Sequence, residues 1–130
     1  MSFCNFLENR VLDHLFLKGD YIASYMYLGL WIGDPTDSGE AGDEVSGGSY
    51  SRQVMTGIYW ERAYGVMLND LAITFPEATA YWGDVTHFAL FNALTGGNML
   101  MYGALVGAPI NIVAGSVPRF AAGRIAVEID

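Results

Sequence analysis

No Asp, Glu, Lys or Arg lies between Asp84 and Arg119, and this uncharged stretch constrains the fold more than any other feature. It opens Val85-Thr86-His87-Phe88-Ala89-Leu90-Phe91, turns through Asn92-Ala93-Leu94-Thr95-Gly96-Gly97-Asn98, and resumes Met99-Leu100-Met101-Tyr102-Gly103-Ala104-Leu105. Two apolar runs of strand length around a polar Gly-Gly turn predict a β-hairpin. Gly107, Pro109, Asn111 and Gly115 break the remainder into strand-length pieces, so a spanning helix does not fit and no membrane insertion is expected. A hairpin this apolar presents more surface than a small chain easily hides, so sister copies or a scaffold are expected to cover it.

The other segments read as short strands with one helix at the start. Residues 2–18 place Phe3, Leu7, Val11 and Leu15 four apart, and Phe6, Leu12 and Phe16 widen the stripe, which predicts an amphipathic helix. Ser2 is placed to be its N-cap, Glu8 and Lys18 suit its two ends, and Gly19 suits the stop. Such a helix docks either on its own domain or on a neighbouring subunit or scaffold. Residues 22–32 predict a strand rich in Tyr, Leu and Trp, with Gly29 marking a bulge or a close approach. Over residues 33–49, Asp34, Asp37, Glu40, Asp43 and Glu44 sit among Gly, Pro and Ser, which predicts a long exposed acidic loop. Short strands are expected at Tyr50–Thr56, Val66–Phe75, Ile110–Val113 and Arg124–Ile129, and 57–65 is assigned to nothing. Pro76 closes the second of these strands. In the last, Ile125, Val127 and Ile129 alternate with Arg124, Ala126 and Glu128. The expected fold class is therefore mainly β, as one domain over 1–130. The helix precedes an antiparallel β-sandwich over 20–130, with a jelly-roll connection as one way to wind it.

Composition narrows the function. Fourteen acidic residues against six basic ones give a net charge of -8, so nucleic acid is repelled and is not an expected partner. Cys4 is alone, which excludes an internal disulfide, and it reads as a small buried hydrophobe in a protein compatible with cytoplasmic folding. Glu8, Arg10, Asp13 and Lys18 interrupt any signal-type apolar core. His14 and His87 have no Cys or carboxylate at metal-ligand spacing, and Asp84 and His87 fall on opposite sides of a regular strand. No nucleophile elbow or phosphate-binding glycine motif occurs. The acidic loop could offer hard oxygens to calcium or simply be solvated, and its spacing does not match the EF-hand loop. Trp31, Trp60 and Trp82 either fill the core or give a partner or a sugar a sticky surface. No catalytic residue, cofactor or metal ligand is predicted.

A series of motifs opens with Met1-Ser2-Phe3-Cys4-Asn5-Phe6-Leu7-Glu8-Asn9 and Leu12-Asp13-His14. It continues through Leu28-Gly29-Leu30, Asp34-Pro35-Thr36-Asp37 and Glu44-Val45-Ser46-Gly47-Gly48-Ser49-Tyr50-Ser51-Arg52. Ile73-Thr74-Phe75-Pro76-Glu77-Ala78-Thr79, Trp82-Gly83-Asp84-Val85-Thr86-His87-Phe88 and Thr95-Gly96-Gly97-Asn98-Met99-Leu100 complete it. In this order they resemble a family of small tailed-phage virion proteins, labelled tail fibre or minor structural protein. The resemblance runs over nearly the whole chain, with little matched at Ile58–Val66. It implies a non-enzymatic, oligomeric part of a virus particle, located in the virion after folding in the host cytoplasm.

The expected protein is therefore tail- or fibre-associated, self-assembling as a homotrimer and contacting other tail, neck or capsid proteins. Head decoration (cement) and neck positions on the same virion are the nearest alternatives. A host-glycan-binding module and a carboxylate-pair hydrolase come from other classes. The expected assembly interface takes Phe3, Phe6, Leu7, Val11 and Leu15 from the helix and Phe88, Leu90, Leu100 and Tyr102 from the hairpin.

Overall fold

A computed structural model of the chain describes residues 2–19, 25–55, 60–63 and 66–128. The protein is mainly β, with antiparallel sheets and one N-terminal helix. The first elements are β1 (Ser2–Phe3), α1 (Asn5–Leu15), β2 (Met26–Ile32), β3 (Asp43–Glu44) and β4 (Gln53–Met55). Next come β5 (Trp60–Ala63), β6 (Val66–Asn69), β7 (Ile73–Thr74) and β8 (Gly83–Val85). The chain continues through β9 (His87–Phe91), β10 (Met99–Ala104), β11 (Ile110–Ile112), β12 (Arg119–Phe120) and β13 (Ala126–Glu128).

The hairpin anticipated from the uncharged stretch is β9–β10, and it sits inside the largest sheet, ordered β1-β10-β9-β2-β3 with β4 also on β2. Three small sheets, β11-β8, β12-β7 and β13-β6-β5, complete a sandwich-like arrangement. Alternation along the strands divides the apolar residues between two clusters. Leu28, Leu30, Phe88 and Leu90 join Ile73, Val85, Ile112, Phe120 and Ile125 in the main core. Trp31, Ala89 and Phe91 join Cys4 and Met99 in a second cluster. The register slips between Met99 and Met101, so Met99 joins the second cluster while Met101 packs against the main one.

The central sheet is thus packed on both faces by its own chain. A strand buried on both faces reads as a continuous apolar run, which is the pattern seen at β2 and β9. The expectation that the hairpin needs sister copies to cover it is corrected accordingly, since Phe88, Ala89, Leu90 and Phe91 are all buried within the subunit.

The helix is shorter than residues 2–18. Ser2 does not cap it, because Ser2 and Phe3 pair with Tyr102 and Met101 of β10. That pairing needs extended backbone, so the helix starts only after Cys4, which is its N-cap residue and makes no side-chain cap bond. At the other end the chain turns left-handed at Leu17 (φ 58), before Gly19 is reached. The Leu17 amide donates to the His14 carbonyl (3.4 Å) and the Lys18 amide to the Asp13 carbonyl (2.8 Å), the two bonds of a Schellman stop.

The strand expected across Val66–Phe75 is two strands, β6 and β7, in different sheets. Asn69, 1% exposed, divides them. Its Nδ2 donates to the carbonyls of Leu71 and Ala121 (3.0 Å each), and its Oδ1 accepts from the Ile125 amide (2.8 Å). A side chain that satisfies backbone groups locally offers the chain an alternative to continuing the ladder. Trp60–Ala63, unassigned by the sequence, is β5. The parts of the expected segments at 20–24, 56–59, 64–65 and 129–130 lie outside the described residues. Among the described residues, no helix is long and apolar enough to cross a membrane.

Candidate functional site

The site begins at an interruption along one edge of β2. β4 pairs with Met26–Leu28 and β3 with Trp31–Ile32, leaving Gly29 and Leu30 between them. The Val45 amide donates to the Leu30 carbonyl (3.1 Å), and the Leu30 amide donates to the Tyr50 hydroxyl (3.0 Å). A phenol oxygen therefore completes a ladder that the backbone leaves open. The Tyr50 ring belongs to the core, stacked at 6.2 Å on Phe75 and edge-on to Trp82 at 5.4 Å. Glycine is needed at position 29, where a Cβ would lie 3.0 Å from the Tyr50 hydroxyl and 3.1 Å from Glu44 Oε2. This is the close approach that the sequence suggests for Gly29.

The Tyr50 hydroxyl donates onward to Glu44 Oε2 (2.7 Å). Arg52 grips the same carboxylate with its fork, Nε to Oε2 (2.8 Å) and Nη2 to Oε1 (2.9 Å). Its Nη1 donates to the carbonyls of Ala93 and Gly96 in the hairpin turn, each at 2.8 Å. Its guanidinium carbon lies 3.5 Å from the centre of the Phe91 ring. The Arg52 side chain is 6% exposed and that of Glu44 24%. A charge this deep is tolerated because the carboxylate and two carbonyls match its donors. A cleft of about 290 Å³ opens over the pair, lined in part by Ser46, Leu94 and Thr95.

The cluster makes the acidic loop part of the fold. Glu44 lies in β3 and Val45 is buried. The Ala41 carbonyl accepts from Trp31 Nε1 (2.8 Å), and Asp37 accepts from the Asn5 amide at its carbonyl and from the Tyr102 hydroxyl at Oδ1 (2.9 Å each). Asp34, Asp37, Glu40 and Asp43 stay at the surface. Among the described residues no three His, Cys, Asp or Glu side chains converge as a metal site. Asp84 bonds to Asn111 and Tyr81, and His87 Nδ1 lies 2.8 Å from the Thr86 hydroxyl.

The expected interface residues separate into two groups. Leu7, Phe88, Leu90 and Leu100 are buried inside the subunit. Phe3, Phe6, Val11 and Tyr102 are half-buried, and Leu15 is exposed. The sequence offers Glu44 only as one of the acidic-loop carboxylates that could meet calcium, and it assigns Tyr50 and Arg52 no role. One signal was present: Arg52 is the sole basic residue between Lys18 and Arg62, and it follows a cluster of carboxylates.

The bonds of the cluster tie β2, β3 and the hairpin turn together. Burial, and then the charge of Glu44, push the Tyr50 phenol far above its ordinary range, so it remains a hydrogen-bond donor. Cys4, 1% exposed, is pushed from 9.0 to about 12, chiefly by burial and then by Asp37 and Glu8. Both groups are held protonated by the fold. Their contribution to stability is complete below the ordinary thiol pKa and is lost as pH rises toward the folded values. Stability should therefore fall above pH 9.0 through the thiol and above pH 10.0 through the phenol, by at most about 1.4 kcal/mol per pH unit for each group. Denaturant unfolding between pH 8 and 11 checks this. Cys4→Ala should flatten the alkaline decline, and an unchanged slope would count against the thiol.

The model of one family, Podophage GP4 fiber I protein gp80, matches residues 2–128. No curated protein matches the chain. The matched span takes in α1, the hairpin and the whole Glu44–Tyr50–Arg52 cluster. With nearly its entire length so matched, the chain belongs to the Podophage GP4 fiber I protein gp80 family, a family of phage fibre structural proteins.

Proposed function

We propose that this protein is a non-enzymatic virion component, associated with the tail or its fibres, that assembles as a homotrimer through the far half of α1 and meets neighbouring virion proteins. It folds in the host cytoplasm before joining the particle. The observation that carries this reading is the surface at the end of the helix. Leu12, Leu15, Phe16 and Leu17 are 52%, 66%, 69% and 90% exposed. Leu17 also adopts left-handed backbone just past the helix, where glycine is the usual residue. Within one subunit this leucine strains the backbone and leaves its side chain in water. A partner that buries the row gives both features a purpose. Phe3, Phe6 and Val11 are half-buried and extend the apolar surface toward the part of α1 that packs on β10.

Sedimentation equilibrium at micromolar concentration tests the reading, with a trimer expected. Leu15→Asp should weaken association by about tenfold or more, because a charge would be buried without a partner. Leu17→Gly separates the two costs. It should stabilise the isolated subunit by about 1 kcal/mol by relieving the left-handed residue, and it should still weaken assembly. A monomeric wild-type protein, or a Leu17→Gly variant that assembles as tightly as wild type, overturns the reading.

A further inference from the structure

Two of the six basic side chains, Arg119 and Arg124, line a single pocket of about 260 Å³ on a chain whose net charge is -8. The same pocket is lined by Phe120 and Leu105, both buried, by the half-buried Ile110 and by the exposed Val106. Its backbone is firmly tied. Arg119 pairs with Thr74 across β12–β7, and the Arg124 amide donates to the Ala121 carbonyl (3.1 Å). The buried Asn69 side chain clasps both sides of that turn, donating to Ala121 and accepting from Ile125. Among the described residues neither arginine is within 4.0 Å of a carboxylate, whereas Arg52 is fully engaged. Two cations beside an apolar floor, with no carboxylate partner among the described residues, form half of a recognition site.

We propose that this pocket binds a small carboxylate carried on an apolar body. The acid group meets the guanidinium groups of Arg119 and Arg124, whose planar forks suit a carboxylate. The apolar body lies on Phe120, Leu105 and Ile110, where it leaves water. Each half is weak alone, because exposed ion pairs are screened and the floor is small. The site therefore selects for molecules that carry both features.

The test is a titration of the full chain with benzoate, acetate, benzyl alcohol and inorganic phosphate, followed by amide chemical shifts. Benzoate should move the amides of residues 119–124 saturably, with a dissociation constant at least about tenfold below those of acetate and benzyl alcohol. Arg119→Gln with Arg124→Gln should abolish that preference while leaving the thermal midpoint near wild type. Binding of acetate or phosphate as tight as that of benzoate would show an unselective anion patch and overturn the proposal. No saturable shift with benzoate, or undiminished binding in the double variant, would overturn it equally.

Discussion

Arg52→Ala should lower the free energy of unfolding by about 3–5 kcal/mol, a fall of roughly 10–15 °C in the thermal midpoint. The loss has three sources. Glu44 keeps the Tyr50 hydroxyl but loses both bonds to the fork. The carbonyls of Ala93 and Gly96 lose their donor, and the Phe91 ring loses the cation on its face. Water reaches Glu44, at 24% exposure, which keeps the figure from rising further. Arg52→Lys should recover little, since a single ammonium cannot span both carboxylate oxygens and both carbonyls. Amide exchange locates the damage: the turn at 92–98 should exchange faster than the strands that flank it. A loss below about 1 kcal/mol would mean that the buried pair contributes no more than a surface ion pair.

Phe75→Ala should be of similar size, about 3–5 kcal/mol, for an unrelated reason. Phe75 is 1% exposed and its ring meets those of Phe120, Tyr50 and Trp82 at 6.0, 6.2 and 6.4 Å. Truncation removes the shared neighbour of three rings and leaves a cavity that none of them can fill without moving. Phe16→Ala is the matched control. At 69% exposure it should change subunit stability by less than about 0.5 kcal/mol. Equilibrium unfolding in urea at a concentration where the chain is monomeric compares the two. Equal losses would contradict the burial that distinguishes them.

The hairpin was legible because its evidence is local. Two apolar runs and a polar glycine turn specify β9 and β10 without reference to the rest of the chain. Gly97 in that turn has φ 70, and a Cβ would meet Asn92 Oδ1 at 2.6 Å, so the residue type and the backbone agree. The first helix was legible in its middle and misread at both ends. Its periodicity is local, but Ser2 and Phe3 were claimed by β10, which follows about a hundred residues later. Val66–Phe75 was misread for the same kind of reason. Asn69 takes its partners partly from residues 121 and 125, and no window around position 69 contains them.

The amino-acid sequence by itself determined the β class, the hairpin, the helix and the family, because alternation, turn chemistry and motif order are written along the chain. Only the tertiary structure decided that the hairpin is covered from within, and that Glu44, Tyr50 and Arg52 form one cluster. It also decided that a row of exposed apolar residues, Leu12, Leu15, Phe16 and Leu17, lies at the end of α1. These outcomes depend on which distant faces meet. Burial and charge pairing are properties of residues adjacent in space, so spacing along the chain does not encode them.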